Sequence, residues 1–407
     1  MQLASASMFA QLISLAVMPI ITRLHTPDSL GKYQFFTTLA LLITPFVSGS
    51  LALAIKSSSS NFRALVNLKL AMQFSLIWLI ALLLTLPFFV YLLSESSMDW
   101  LIFYLPVLYI FVYLSANFQF AMGLLTNYRQ YGNQSTYTVT KSVISNILKL
   151  AFSFLSKSGF SLVLALVITE IFQLIRVVWL NYKSIFRFLL KFKWSIFKRS
   201  LVQAKVYPTY VTLASVLGVL MNWFPILTTG VLYGPEFAGL LGLAFMVVNT
   251  PVYPFIGALQ SICFGELARE KVPAKFISVY GKSMCIALIP SILGLFILGN
   301  YGEELFIIVF GEKWRIAGTY AFICFIPISL SFILSPVYST LNHFFSFQKI
   351  FFWINGLSLL TGLLITSFIG YNSFDFKWFI ISFSLIMSVS HLVLFSVSLV
   401  LTLYKLR

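Results

Sequence analysis

Residues 101–125 read LIFYLPVLYIFVYLSANFQFAMGLL, an apolar run without a charged residue. A helix needs about 20 such residues to cross the hydrocarbon core of a membrane. Similar runs recur in both directions along the chain. They predict an all-α polytopic membrane protein with about twelve spans: 2–22, 33–55, 70–93, 100–125, 137–156, 160–181, 206–231, 237–262, 277–299, 316–341, 350–370 and 377–403.

The composition supports this fold class. Of the 407 residues, 59% are hydrophobic and 9% are charged, whereas roughly 25% are charged in an ordinary soluble domain. These values exclude a soluble enzyme, a disordered chain and a secreted disulfide scaffold. Cys263, Cys285 and Cys324 lie far apart, so neither a disulfide framework nor a metal site is predicted.

The net charge of +16 is unevenly distributed. Most Lys and Arg residues fall in the even-numbered loops and at the C-terminus, and most acidic residues fall in the odd-numbered loops. Because cytoplasmic loops carry the excess of Lys and Arg, both termini are predicted to be cytoplasmic. The charge is therefore attributed to anionic lipid rather than to nucleic acid.

The middle of the chain carries the longest polar connection, 182–204, which interleaves basic residues with Phe, Leu, Ile and Trp. This pattern predicts an amphipathic linker on the inner membrane surface. It separates two predicted six-helix lobes, 1–181 and 205–407. Residues 19–31 (PIITRLHTPDSLG) and 225–239 (PILTTGVLYGPEFAG) share Pro-Ile-x-Thr and Pro-acid-x-x-Gly. This repeat indicates duplicated lobes related by a pseudo-two-fold axis along the membrane normal.

Features of an enzyme are scarce in the sequence. His25, His343 and His391 form no ligand pattern, and no G-x-x-x-x-G-K-[ST] motif is present. The odd-numbered loops are short, which disfavours a glycosyl- or acyltransferase. We therefore expect a protein that is not an enzyme and has no cofactor and no bound metal.

Charged residues at membrane depth cost about 2.5–3.5 kcal/mol each on insertion scales, and they concentrate in the fifth and sixth spans. Counting from a turn near Ser158 places Lys149 level with Glu170, and Lys141 level with Arg176 nearer the cytoplasm. These positions predict a cationic, water-filled cavity for an anionic group. Two structural alternatives remain open: a Lys149–Glu170 salt bridge between helices, and snorkelling of Lys141 and Arg176 to inner headgroups.

Milder polar stripes occur on the first and seventh spans. Gln11 on the first and Asn222 on the seventh are candidate substrate-binding residues beside Lys141, Lys149 and Arg176. Hydrogen bonding between helices is the alternative interpretation of both stripes.

Two short stretches carry a family resemblance. Residues 21–33 (ITRLHTPDSLGKY) resemble the first outer turn of polysaccharide flippases, and 310–318 (FGEKWRIAG) are similar to the turn before their tenth helix. Ser335-Pro336 and Gln348 downstream also fit this family, which belongs to the multidrug/oligosaccharidyl-lipid/polysaccharide exporter superfamily. The sequence departs from the pattern at 50–52, where many members carry an Arg-aromatic-Glu run.

The resemblance implies an O-antigen (Wzx-type) flippase of the bacterial inner membrane. Such a protein moves an undecaprenyl-pyrophosphate-linked oligosaccharide to the periplasmic leaflet by alternating access. Glu170 is then the candidate ion-coupling residue. The implied partners are this lipid-linked substrate, membrane lipids, and polysaccharide polymerase and chain-length proteins. An ion-coupled exporter of drugs or small solutes is the first alternative, and a membrane glycosyl- or acyltransferase is the second.

Overall fold

The computed structural model describes residues 2–94, 98–181, 194–269, 273–345, 347–371 and 375–406, and these contain helices and turns but no strand. The helices are α1 (Gln2–Leu24), α2 (Pro27–Ser48), α3 (Leu51–Lys56), α4 (Asn61–Ser94), α5 (Leu101–Asn127), α6 (Tyr131–Leu155), α7 (Gly159–Asn181), α8 (Trp194–Gln203), α9 (Thr212–Leu232), α10 (Pro235–Arg269), α11 (Pro273–Phe310), α12 (Arg315–Phe345), α13 (Gln348–Tyr371) and α14 (Phe376–Leu406). A π-helical turn, Tyr207–Val211, precedes α9, and a 3-10 turn, Glu312–Trp314, precedes α12.

The predicted all-α polytopic fold is confirmed. Ten of the described helices are long and apolar enough to cross a membrane. The helices at the second and fifth predicted spans, α2 and α6, are the two that fall short in apolarity. They contain 22 and 25 residues, so at about 1.5 Å per residue both are long enough to span.

The described chain divides into two compact units, Met1–Leu227 and Thr228–Arg407. In the first unit α5 packs against α2, α3, α4 and α7, while α1 packs against α6. In the second unit α12 packs against α10, α11 and α14. Residues 182–193 of the predicted linker lie outside the described residues, and the described remainder begins with α8. The predicted lobe boundaries on either side of that linker stay a prediction.

The second predicted span is broken into α2 and α3. Gly49 and Ser50 both have left-handed backbone conformations, with φ of 53° and 49°. Gly49 ends α2, and its N–H donates to the carbonyl oxygen of Phe46. Such a conformation is natural for glycine and uncommon for serine. The Ser50 hydroxyl accepts a hydrogen bond from Thr212 at 3.2 Å, which anchors the break to the start of α9.

The turn between α1 and α2 is fastened to the end of α6 by His25, which is fully buried. Its Nε2 lies 2.9 Å from the Ser153 hydroxyl and its Nδ1 lies 3.2 Å from the Ser29 hydroxyl. Thr26 caps α2 by exchanging hydrogen bonds with Ser29. Burial lowers the pKa of His25 from its ordinary value of 6.5. A hydrogen bond with the backbone of Lys157 offsets part of this lowering, and the positive charge of Lys157 adds a smaller lowering.

This geometry predicts an acid-sensitive contact. Because the pKa of His25 is lowered in the folded protein, the unfolded chain binds more protons below about pH 6.5, and acidification through that range reduces stability. We expect His25→Gln to remove part of the loss of thermal stability between pH 7.5 and pH 5, measured by unfolding in detergent. Lys157→Gln should reduce the same loss, because it removes a neighbouring positive charge. An unchanged pH dependence in both variants would contradict the prediction.

Candidate functional site

The first unit contains a cavity of about 730 Å³ that brings together residues of α2, α3, α5, α6, α7 and α9. Its apolar wall is formed mainly by Leu41, Leu53, Phe111, Phe118, Met122, Leu166 and Val219. Its uncharged polar lining consists of Tyr33, Thr37, Thr44, Ser48, Ser50, Ser115, Gln119 and Ser215. The charged residues in the lining are Lys56, Lys141 and Glu170. A mostly apolar wall with a few polar groups is typical of a small-molecule site.

Lys141 on α6 and Glu170 on α7 form an ion pair through the ammonium group and Glu170 Oε1. The Lys141 side chain is 32% exposed, whereas the Glu170 side chain is only 3% exposed. The ammonium also lies 4.4 Å from the centroid of the Phe118 ring. The carboxylate is therefore held inside the protein, and the cation that neutralises it faces the cavity.

Glu170 pairs with Lys141 and not with Lys149, so the structure does not adopt the alternative of a Lys149–Glu170 salt bridge between helices. The positions from Lys141 to Lys149 turn a helix by roughly 80° beyond two full turns, so the two lysines point in different directions. The flexible stem of Lys141 lets its ammonium reach Glu170 despite the offset in depth. Lys149 lies outside the cavity lining, with its ammonium 5.3 Å from the centroid of the Tyr33 ring.

Arg176 is held against α6 and is not among the residues that line the cavity, so its assignment to substrate binding stays a prediction. Its guanidinium donates a hydrogen bond of 2.7 Å to the Thr140 hydroxyl on α6. It stacks at 4.9 Å over the ring of Tyr137. Lys141, Lys149 and Arg176 thus each contact an aromatic ring of the same unit. Such contacts stabilise a cation by about 0.5–2 kcal/mol, more when it is desolvated.

Two buried oxygen atoms beside the ion pair lack a hydrogen-bond donor among the described residues. They are Glu170 Oε2 and Gln173 Oε1, carried one helical turn apart on α7. The Gln173 amide is oriented by a hydrogen bond of 3.4 Å from Nε2 to the Thr140 hydroxyl. Unpaired buried acceptors are costly, so this face of α7 is suited to receive a proton or a small cation. The described residues contain no cluster of His, Cys, Asp or Glu that could hold a metal ion.

Gln11 and Asn222 lie away from the cavity lining. Gln11 is on α1, whose polar stripe packs against α6: the Ser14 hydroxyl accepts a hydrogen bond of 3.1 Å from Asn146, and the Ser142 hydroxyl donates one of 2.7 Å to the carbonyl oxygen of Ala10. Asn222 is exposed on α9, and its amide donates to the carbonyl oxygen of Gly218. Their assignment to substrate binding stays a prediction.

Sequence reasoning missed Lys56 and the aromatic partners of the three cations. Lys56 was counted only as a basic loop residue, and its position at the end of α3 carries it into the cavity lining. The sequence does not single out Tyr33, Phe118 and Tyr137 as contacts of cations. Aromatic residues make up 17% of the chain, so three of them do not stand out.

No protein-family description matches the chain, and no characterised protein is similar to it in sequence. Solved structures are similar in fold. An inward-facing multidrug resistance MATE family transporter of the MOP superfamily has a TM-score of 0.69 at 14% identity, covering 96% of this chain and 93% of the transporter. The eukaryotic MATE transporter AtDTX14 has a TM-score of 0.53 at 14% identity, with coverages of 98% and 94%.

A third structure is also similar in fold. It is a MOP superfamily transporter from Pyrococcus furiosus, described as having a binding pocket of reverse polarity that suggests a different function. Its TM-score is 0.55 at 13% identity, with coverages of 98% and 94%. The chain therefore has the fold of MATE-type transporters over nearly its whole length.

The ion pair predicts an asymmetric mutational response. Lys141→Met leaves the Glu170 carboxylate buried without its cation and should cost about 2–3 kcal/mol, somewhat less than breaking a fully buried pair, because Lys141 is partly exposed. Glu170→Gln should cost less, since Lys141 keeps access to water, and the double variant should recover most of the loss. Thermal unfolding in detergent measures these effects.

The exposed Glu312–Arg315 pair provides the control. Its atoms approach to 2.8 Å, but both side chains are at least half exposed. Arg315→Gln should therefore cost at most about 1 kcal/mol. Equal losses in Arg315→Gln and Lys141→Met would contradict the assignment of a buried carboxylate.

Proposed function

We propose that this chain is an ion-coupled exporter of small amphipathic solutes that carry an anionic group, working by alternating access in the bacterial inner membrane with both termini in the cytoplasm. The observation that carries the proposal is the cavity of the first unit, where a partly exposed ammonium is neutralised by a buried carboxylate. The fold similarity to MATE transporters supports the transport class.

The size and lining of the cavity favour a small solute. Its volume of about 730 Å³ lies within the range of small-molecule sites, roughly 300–1,000 Å³. The aromatic and aliphatic wall accommodates an apolar body, and the hydroxyl groups accommodate polar substituents. Apolar and hydroxyl-bearing lining residues both occur on α2, so one amphipathic solute can contact both kinds at once.

The charge of the lining favours an anion. Lys56 and Lys141 outnumber Glu170 among the charged lining residues. An incoming anionic group competes with Glu170 for the Lys141 ammonium. If the anion takes Lys141, the buried Glu170 carboxylate loses its counter-charge and must acquire a proton or another cation. Binding of the anion and the occupation of Glu170 by a cation are therefore thermodynamically linked.

Transport of paired fluorescent probes tests this proposal. In proteoliposomes containing the purified chain, we expect movement of the anion carboxyfluorescein to exceed that of the cation ethidium. Lys141→Gln should reduce carboxyfluorescein transport at least tenfold, since it removes the anion-binding group. Glu170→Gln should leave transport measurable but insensitive to the proton or sodium gradient.

The controls lie outside the cavity. Lys313→Gln removes an exposed positive charge from the second unit and should leave both fluxes unchanged. A preference for ethidium would refute the anionic solute, and a gradient dependence that survives Glu170→Gln would refute its coupling role. Absence of flux for both probes, in protein shown to be folded, would count against small-solute export itself.

A second candidate is the flipping of an undecaprenyl-pyrophosphate-linked oligosaccharide such as an O-antigen repeat unit. The positive balance of the cavity favours it, because a pyrophosphate needs cationic partners on its path. The polysaccharide polymerase and chain-length proteins expected from the sequence belong to this candidate alone. The cavity volume favours the small solute, since only part of such a lipid-linked substrate fits within it.

Lipid analysis separates the two candidates. If the chain is a flippase, its deletion should cause lipid-linked oligosaccharide to accumulate in the inner leaflet, and wild-type protein but not Lys141→Gln should reverse this. If it exports small solutes, the amounts of these lipids in extracted membranes should not change on deletion. The Lys313→Gln variant should complement the deletion fully in either case.

A further inference from the structure

The helix α8 has two distinct faces. Phe197 and Ala204, the latter just beyond its last residue, are buried in the hydrophobic core of the first unit, and Leu201 packs against the same core. Lys198, Arg199 and Val202 are exposed. The helix α8 is therefore packed against the first unit through one apolar edge.

The exposed residues form one continuous strip. At about 100° per residue, Lys198, Arg199 and Val202 fall within a sector of roughly 100° on α8, away from the buried edge. Lys205 and Val206, in the turn that follows α8, are also exposed. Both valines are more than half exposed, at 60% and 51%. A strip that mixes basic and apolar residues is typical of a helix lying at a membrane–water interface.

Neighbouring turns extend this basic surface. The Tyr207 hydroxyl lies 2.8 Å from that of Ser57 in the turn between α3 and α4. Asn127, at the end of α5, donates a hydrogen bond of 2.8 Å to the carbonyl oxygen of Ser58. An exposed cation lies beside each of these segments: Arg63 at the start of α4, and Arg129 just after the end of α5. Phe62 beside them is 70% exposed.

Acidic residues that could neutralise this surface lie elsewhere in the described part of the first unit. Asp28 pairs with Lys32 at the opposite end of α2. Asp99 is in the turn between α4 and α5, also at the opposite end, and Glu170 is committed to Lys141. The positive charge of Lys198, Arg199 and their basic neighbours is therefore available to an external anionic partner.

We propose that this surface, comprising Arg63, Arg129, Lys198, Arg199 and Lys205 with the exposed Val202 and Phe62, binds the headgroups of anionic phospholipids in the inner leaflet. Juxtamembrane Lys and Arg residues gain about 1 kcal/mol each near an anionic membrane surface. The exposed apolar side chains insert between the headgroups and the acyl chains of the lipid. A soluble polyanion has no such apolar layer, so the mixed surface favours a lipid. The proposal concerns lipid binding and does not depend on what the first unit transports.

Lipid selectivity of the full-length protein tests the proposal. In nanodiscs or detergent, wild-type protein should bind phosphatidylglycerol in preference to phosphatidylcholine, as counted by native mass spectrometry. The triple variant Lys198→Gln, Arg199→Gln, Lys205→Gln should weaken phosphatidylglycerol binding roughly 100-fold, whereas Lys198→Arg with Lys205→Arg should retain it. High salt should reproduce the loss seen in the triple variant.

A control variant with the same change in charge is Lys157→Gln, Lys313→Gln, Lys377→Gln, in the loops predicted to face the opposite side of the membrane. It should bind phosphatidylglycerol like the wild type. Equal binding of the two lipids by wild-type protein, or equal losses in the two triple variants, would overturn the proposal. Displacement of phosphatidylglycerol by millimolar inorganic phosphate would also overturn it, by indicating a site for free phosphate. Thermal unfolding in phosphatidylcholine verifies that each variant is folded.

Discussion

The central constraint on the first unit is a carboxylate buried at membrane depth with its counter-ion at the edge of a cavity. Removing a carboxylate from water costs several kcal/mol even after relaxation, and a cation repays this only with good geometry. The helices α6 and α7 are joined by a short turn and pack together along their length, so this pair is not required to bring them together. In this ion pair Glu170 is buried and Lys141 is accessible, so Lys141 can exchange Glu170 for another anion. Such a pair is less suited to holding two helices together.

Aromatic residues of the first unit stabilise its cations in the low-dielectric interior. Three cations on α6 and α7 lie over the rings of Phe118, Tyr33 and Tyr137, on α5, α2 and α6. Aromatic faces stabilise a cation without neutralising it. An anion entering the cavity therefore still meets a net positive lining, with Lys56 and Lys141 against Glu170.

The sequence predicts the helices well because a span is a property of composition over about 20 residues. Most predicted spans coincide with helices to within several residues, but α4 begins at Asn61 and α11 ends at Phe310, well outside the predicted 70–93 and 277–299. The second span is also broken at Gly49 and Ser50, where φ values above 0° stop α2. Hairpin counting assigns depths to the polar residues of α6 and α7, but it does not decide which of them pair. Depth is linear in sequence, whereas partner choice depends on rotation about the helix axis and on side-chain reach. These separate Lys149 from Glu170 and let Lys141 reach it.

The two helices that are least suited to lipid explain where the cavity forms. Neither α2 nor α6 is apolar enough to be counted among the membrane-crossing helices of the described chain. A polar helix in a membrane must turn its polar face toward protein or water, and these two do so: α2 supplies Thr37, Thr44 and Ser48 to the cavity lining, and α6 supplies Lys141. The apolar helices α4, α5 and α7 pack against α2. The reduced hydropathy of these spans is therefore itself a sequence signal for the site, because the membrane admits such helices only where other helices enclose a polar interior.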